Sequence, residues 1–238
     1  MIRSPHNTTS APDPLRWILV LLGVFILVLL PLAHVFDADL VNALDARARG
    51  VEGRDTHRLL RVMGSAYFWI LVVCVLWADG FARRSDIDLA LQSRDRAGIW
   101  SRGVFVLLSA LGSGLLAELI KVLVRRGRPD AMLDRDPTLP LTDPRTFGYV
   151  WNWEHTTWGN LFDISDLGIA SSHAATAFGG MIALGVLWPR WRWVLLLLAG
   201  FASITRLQSR GHYLSDVIGG AACGAVVVLA LVWGTRKR

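Results

Sequence analysis

Two cationic residues lie near the end of one long apolar stretch of this sequence. Lys121 and Arg128 are seven residues apart, which puts them on one helical face if the helix continues until Pro129 ends it. A charge inside a membrane is costly and is usually functional. Two cations at a membrane boundary suit an anionic headgroup, and the planar fork of arginine suits phosphate oxygens. The alternative is that Lys121 only pairs with Glu118 on the same face, or extends toward water.

Short polar residues precede the next apolar stretch, where Ser171 and Ser172 are followed by His173. Serine is a favoured N-cap residue of helices. The free N–H groups of a first helical turn, together with the helix dipole, bind phosphate. We therefore expect a helix to begin here, with His173 in its first turn beside any phosphate bound there. The alternative is that this histidine is ordinary polar surface.

A third group contains a histidine and a carboxylate one helical turn apart. Asp216 follows His212 by four residues, and Arg206 precedes His212 by six. At this spacing the carboxylate is expected to hold one ring nitrogen of His212, which fixes the tautomer and leaves the other nitrogen free to attack. The alternative is an ordinary capping pair at the start of a helix.

Six apolar stretches are long enough, within a few residues, to cross a bilayer. The chain is 53% hydrophobic and only 18% charged, and seven of its eleven tryptophans lie near the predicted ends of these stretches. The first stretch is too long for a signal-peptide core, so we expect it to be retained. The stretches are Trp17–Phe36, Val62–Phe81, Gly103–Val124, Ser171–Trp188, Trp193–Ile204 with a few following residues, and Tyr213–Trp233.

These features predict an all-α, integral-membrane six-helix bundle. We expect one domain over residues 1–238, with a motif-bearing core at about 103–233. Because chain direction alternates across a membrane, all three polar groups fall on the same side and can form one pocket. The loops on each side of the membrane contain twelve lysines and arginines in total. One set is packed into short loops, where positive charge decides orientation, so we expect cytoplasmic termini and a pocket that faces the periplasm.

Composition also argues against other kinds of site. The two cysteines, Cys74 and Cys223, fall inside predicted helices, and no cluster of thiolates or imidazoles suits zinc. We therefore expect neither a disulfide framework nor a metal or other cofactor. The net charge of +6 is expected from the loop arginines of a membrane protein and gives no reason to infer a nucleic-acid partner. The oligomeric state is not indicated.

Taken together, the three groups resemble the motifs of the type 2 phosphatidic acid phosphatase family, which is related to the vanadium haloperoxidases. The motif K-x-x-x-x-x-x-R-P is met in full from Lys121 to Pro129. In the motif S-R-x-x-x-x-x-H-x-x-x-D, Thr205 replaces the serine. In the motif P-S-G-H, Ala170 replaces proline and Ser172 replaces glycine. The resemblance covers about residues 121 to 220.

The resemblance implies a metal-independent phosphatase that needs no cofactor. His212 would attack phosphorus to form a phosphohistidine, Asp216 would orient His212, and His173 would protonate the leaving oxygen. The residues implied to bind the phosphate are Lys121, Arg128, Ser171, Ser172 and Arg206. Ser172 adds a side chain where the family glycine permits close backbone approach, which would narrow substrate choice or weaken catalysis.

The resemblance implies hydrolysis of a lipid phosphomonoester or pyrophosphate at the bacterial inner membrane. Candidate substrates are undecaprenyl pyrophosphate, lipid A, phosphatidylglycerol phosphate and phosphatidate. Two alternatives remain: phosphotransfer to an acceptor other than water, and a non-catalytic anion-binding or transport protein. The long extracytoplasmic loop at 130–169, which is rich in tryptophan, would be either a lid that recognises the headgroup or a folded cap at the bilayer surface.

Overall fold

The chain folds into helices throughout the parts that the computed structural model describes, which are residues 14–44, 54–85, 95–129, 163 and 165–236. A π-helical segment, Val24–Leu29, joins the first two helices, and a 3₁₀ turn, Pro189–Trp191, precedes the seventh. The helices are α1 Pro14–Gly23, α2 Leu30–Leu44, α3 Asp55–Val62, α4 Ala66–Ser85, α5 Asp95–Val124, α6 Ser172–Leu187, α7 Arg192–Gln208 and α8 Leu214–Arg236.

Helix α6 forms the centre of the bundle and packs against α5, α7 and α8. Its buried residues are mostly small, which lets the neighbouring backbones approach closely. A Cβ on Gly224 of α8, for example, would lie 2.7 Å from the backbone nitrogen of Gly179. Because α6 is held on three sides, the polar residues at its N-terminus have fixed positions.

The outer surface of the bundle is apolar, as expected for contact with lipid. Leu27, Val35 and Leu115 expose 77%, 73% and 63% of their surface. Three helical stretches are long and apolar enough to cross a membrane, namely Pro14–Asp37, Arg102–Val124 and Leu214–Gly234. The described residues thus support the predicted all-α membrane protein. By length and composition, three of their helical stretches qualify as spans, or four if α3 and α4 form one bent span, so the predicted count of six stays a prediction.

The predicted second stretch begins earlier than the observed helix. Between α3 and α4 the chain bends by 70°, and α4 starts only at Ala66. The bend is stabilised locally, because Gly64 donates to the Arg61 carbonyl at 3.2 Å and Trp69 Nε1 donates to the Met63 carbonyl at 3.0 Å. The residues before the bend, which the sequence interpretation assigned to a loop, therefore form a short polar helix across the end of the bundle.

Helix α5 ends at Val124, four residues before Arg128, so Lys121 and Arg128 do not share a continuous helical face as expected. Arg125 adopts a left-handed conformation with φ of 49°, which turns the chain out of the helix. The segment that follows runs antiparallel to residues 166–168. The backbone N–H of Arg128 donates to the Asp166 carbonyl at 2.9 Å, and the backbone N–H of Gly168 donates to the Arg126 carbonyl at 2.6 Å.

This pairing joins the two ends of the long loop predicted at 130–169. Residues 130–162 and 164, including the tryptophans at 151, 153 and 158, lie outside the described residues, so neither the lid nor the cap interpretation is tested. The described end of the loop returns to the end of α5, through the single bridge between Gly127 and Leu167. Both ends of the loop are therefore fixed beside the N-terminus of α6.

Candidate active site

A cavity of about 530 Å³ opens where α3, the turn after it, α6, α7 and the loop before α8 meet. No aspartate or glutamate is found among its described lining residues. The helix α3 and the following turn contribute Arg58, Arg61, Val62, Gly64 and Ser65. The predicted groups contribute Arg128, Ser172, His173, Arg206 and His212, together with Thr176. Five of the eight predicted site residues thus line one cavity.

His212 is buried and held through one ring nitrogen. Its Nδ1 lies 2.9 Å from the Gly168 carbonyl oxygen and 3.8 Å from Asp216 Oδ2. Both neighbours are acceptors, so Nδ1 carries the proton and Nε2 keeps its lone pair. Burial lowers the pKa of His212 to about 4, which keeps the imidazole neutral at neutral pH. The hydrogen bond comes from Gly168, whereas the expected carboxylate is close but beyond hydrogen-bond distance.

Asp216 instead organises the backbone and the cation beside His212. Its Oδ2 accepts from the backbone N–H of Tyr213 at 2.9 Å, and its Oδ1 accepts from Arg126 Nη1 at 2.9 Å. The Arg126 guanidinium also lies 4.3 Å over the Tyr213 ring. Asp216 therefore fixes the residue next to His212 and holds a buried arginine.

The same arginine connects the site to the N-terminal part of the chain. Arg126 Nη2 donates to Asp37 Oδ2 at 3.0 Å, and Asp37 Oδ1 accepts from the backbone N–H of Ser215 at 2.8 Å. The Ser215 hydroxyl bonds to Arg126 and to Asp37 as well. All three side chains are buried, so this network ties α2 and α8 to the segment that follows α5.

His173 lies in the first turn of α6, as predicted, and faces the turn between α3 and α4. Its Nε2 is buried without a hydrogen-bond partner among the described residues. The ring packs directly against Gly64, where an added Cβ would overlap it. A buried polar atom without a partner is costly, and an oxygen of a substrate that reached Nε2 would supply the missing partner.

Ser171 begins α6 as the predicted N-cap. Its hydroxyl accepts from the Ala174 N–H at 3.4 Å, and its own N–H donates to the Asp216 carbonyl at 2.9 Å. These contacts tie the start of α6 to α8. Ser171 is fully buried and does not line the cavity, so the structure shows a capping contact at this position.

Lys121 makes the contact that the structural alternative expected, and one more. Its Nζ lies 3.0 Å from both carboxylate oxygens of Glu118 and 3.2 Å from Ser172 Oγ. It is 1% exposed and does not itself line the cavity, whereas Ser172 does. The serine that replaces the family glycine thus accepts a hydrogen bond from the lysine of the first motif.

The two arginines of the motifs reach the cavity from different directions. Arg128 is held by the donation of its Nε to the Leu167 carbonyl at 2.8 Å. Arg206 is in the last turn of α7, and its carbonyl accepts from Gly211 N at 3.1 Å. The bridge and the α7–α8 turn therefore place two guanidinium groups around His212 and the N-terminus of α6, which suits an anion.

Four residues of the site were not predicted. Arg58 and Arg61 are three residues apart in the polar segment before the second apolar stretch, a spacing that puts both on one face of a helix. Asp37 follows the first apolar stretch, where a carboxylate at a membrane boundary is itself a signal. Gly168 acts through its backbone carbonyl, for which the sequence gives no signal.

Comparison with known proteins identifies a family and two relatives. The PAP2 superfamily matches residues 102–238. A lipid A 1-phosphatase of Rhizobium johnstonii is 27% identical over 215 residues, which are 89% of this chain and 78% of that protein. A lipid A 1-phosphatase of Rhizobium etli is 26% identical over 211 residues, which are 89% of this chain and 82% of that protein.

A solved structure has the same fold. It is a transmembrane PAP2-type phosphatidylglycerolphosphate phosphatase from Bacillus subtilis, which aligns with a TM-score of 0.53 over 92% of this chain and 95% of the other, at 19% identity. The superfamily match covers more than half of the chain and includes all three motifs, whereas the cavity residues of α3 and the turn after it lie before the matched segment. This chain therefore belongs to the PAP2 superfamily and is a membrane lipid phosphatase of the PAP2 type.

Proposed function

We propose that this protein hydrolyses the phosphate at position 1 of a lipid A-type glycolipid through a phosphohistidine on His212. The observation that carries the proposal is the cavity itself, where a neutral imidazole faces two arginines and a helix N-terminus with no carboxylate in the described lining. Two relatives that align over 89% of this chain are lipid A 1-phosphatases, which favours this substrate over the other lipid phosphates.

In the bound state, the phosphate oxygens lie against Arg128 and Arg206 and the N–H groups at the start of α6. Lys121 adds a third cation through its position beside Ser172. These groups stabilise the negative charge that spreads over the equatorial oxygens in the transition state, which is most of what phosphoryl transfer requires.

The reaction proceeds in two displacements at phosphorus. His212 Nε2 donates its lone pair to phosphorus, and the bond from phosphorus to the lipid oxygen breaks. His173, which takes up a proton when the anionic phosphate binds beside it, transfers that proton to the lipid oxygen. Neutral His173 then takes a proton from water as the water oxygen attacks the phosphohistidine. The P–N bond breaks, its electron pair returns to Nε2, and inorganic phosphate leaves.

A panel of purified lipids tests the substrate and the chemistry. We expect phosphate release from a disaccharide lipid phosphorylated at position 1 to exceed release from phosphatidate, phosphatidylglycerol phosphate and undecaprenyl pyrophosphate. We expect release to persist in excess EDTA, because protein cations supply the charge that a metal would otherwise supply.

Each possible result of this assay contradicts a different part of the proposal. Release from none of the lipids contradicts the proposed function, and preference for another lipid contradicts only the substrate. Activity that collapses in EDTA and returns only with Mg²⁺ contradicts the metal-independent mechanism. A His212→Ala preparation serves as the matched blank for contaminating phosphatases.

We further propose that the cavity faces the periplasm and that both termini are cytoplasmic. Asp163 is exposed at the end of the long loop, on the side of the cavity, and Arg190 is exposed at the opposite end of α6. In a background that lacks Cys74 and Cys223, an Asp163→Cys variant is expected to react with an impermeant maleimide in intact spheroplasts. Arg190→Cys, the matched control, is expected to react only after lysis. The reverse pattern would invert the topology.

A further inference from the structure

Two arginines that line the cavity belong to none of the three motifs. Arg58 and Arg61 project from α3, the short helix that lies at 70° to α4 across the end of the bundle. Neither guanidinium has an ion pair or a hydrogen bond with another described residue, and both residues are exposed rather than packed into the protein. The helix thus brings two further positive charges to the same opening as Arg128 and Arg206.

The cavity has more positive charge and more room than one phosphate group requires. Its described lining has four arginines and no carboxylate to balance them. Like charges that face one opening repel each other, so an anionic ligand would balance the charge of the described lining. Its volume of about 530 Å³ falls in the range of sites that enclose whole small molecules, about 300–1,000 Å³.

The position of the α3 arginines relative to His173 shows which part of a substrate they meet. Gly64, in the turn that ends α3, packs against the His173 ring, and Arg61 lies three residues before Gly64. In the proposed mechanism His173 protonates the leaving oxygen. Arg58 and Arg61 therefore border the side of the cavity where the lipid part of the substrate leaves, and His212 attacks phosphorus from the opposite side.

We propose that Arg58 and Arg61 form a subsite for a second anionic group, carried by the leaving-group part of the lipid. This inference rests on the proposed function for the assignment of the leaving side. The ligand chemistry is a second phosphate, which has two sources: the inner phosphate of a diphosphate, directly beside the scissile bond, or a phosphate at the far end of a disaccharide headgroup. Guanidinium pairs of this kind suit phosphate through paired N–H donors.

The test compares substrates that differ only in the second phosphate. One arm uses a disaccharide lipid phosphorylated at position 1 against the same lipid phosphorylated at both ends. The other arm uses a polyprenyl monophosphate against the matching diphosphate. In the Arg58→Gln/Arg61→Gln variant, we expect the preference for the doubly phosphorylated member, measured as a ratio of kcat/KM values, to fall about 10-fold in one arm at low salt. The arm that responds identifies the source.

Arg54→Gln is the matched control, because Arg54 precedes α3, is exposed and does not line the cavity. It is expected to keep the wild-type ratio. A ratio of kcat/KM values that is unchanged in both arms for the double variant would overturn the subsite. If this unchanged ratio came with an equal loss of kcat/KM for singly and doubly phosphorylated lipids, the arginines would instead contact the scissile phosphate.

A binding measurement separates this inference from the proposed function. Inorganic pyrophosphate is expected to raise the thermal stability of the wild-type protein more than orthophosphate does, and this difference is expected to disappear in the double variant. If no lipid is hydrolysed but the difference is seen, the subsite stands and the proposed function fails. If hydrolysis is seen but the double variant keeps the pyrophosphate difference, the subsite fails alone.

Discussion

Replacing His212 with alanine is expected to reduce turnover by at least about 1,000-fold, because the loss of a nucleophile removes the covalent route that its imidazole provides. The imidazole is buried, neutral and fixed through Nδ1 by the Gly168 carbonyl, so its Nε2 is the atom that faces the substrate. Because Arg128 and Arg206 remain, the variant should still bind a phosphate analogue such as vanadate. Phosphate release and vanadate binding measure the two properties separately.

The matched control is His34→Ala, which removes an imidazole that is 53% exposed and does not line the cavity. It should retain near-normal turnover. A direct test is to trap radioactive phosphate on the wild-type protein with an alkaline quench, since a P–N bond is cleaved by acid and survives base. His212→Ala activity above about a tenth of wild type, or label that persists in this variant, would exclude His212 as the nucleophile.

Replacing Lys121 with methionine is expected to reduce turnover by roughly 30- to 1,000-fold, which corresponds to a transition-state contact on the order of 2–4 kcal/mol. In the structure Lys121 contacts both Glu118, 3.0 Å away, and Ser172, 3.2 Å away. The first contact fits a structural role and the second fits a role at the phosphate. A second substitution at position 118 separates them.

If Lys121 acts only to neutralise Glu118, then Glu118→Gln should restore turnover to the Lys121→Met variant, because no unpaired carboxylate remains. If it acts on phosphate, the double variant should stay as impaired as Lys121→Met, and Lys121→Arg should also be impaired, since a wider guanidinium would displace the substrate. Glu118→Gln alone is the matched control. Near-normal turnover of the double variant would remove Lys121 from the site.

Much of the site could be predicted from sequence because its residues belong to local patterns. Ser171 and His173 are placed by the start of α6, and His212 by the short turn between α7 and α8, which are features of neighbouring residues. Helices α5 to α8 follow from apolar length, although α5 begins at Asp95, eight residues before the predicted stretch.

The rest depends on contacts between residues that are distant in the chain. The hydrogen bond of His212 comes from Gly168, 44 residues earlier, and a backbone carbonyl has no side-chain signature. The turn out of α5 after Val124 was not predicted, because the left-handed conformation at Arg125 is adopted without the glycine that usually marks it. The polar helix α3 was missed because its eight residues are too few to show a clear period.

The contact between Asp37 and Arg126 limits how this chain can be divided. The segment matched by the PAP2 superfamily begins at residue 102, so α2 lies outside it. Yet Asp37 of α2 accepts hydrogen bonds from Arg126 and from the Ser215 N–H, both inside the matched segment. A fragment that starts at residue 102 would leave a buried guanidinium with one carboxylate partner instead of two. The N-terminal helices are thus part of the catalytic unit, and a chimera that exchanged them between relatives would need an acidic residue at the position of Asp37.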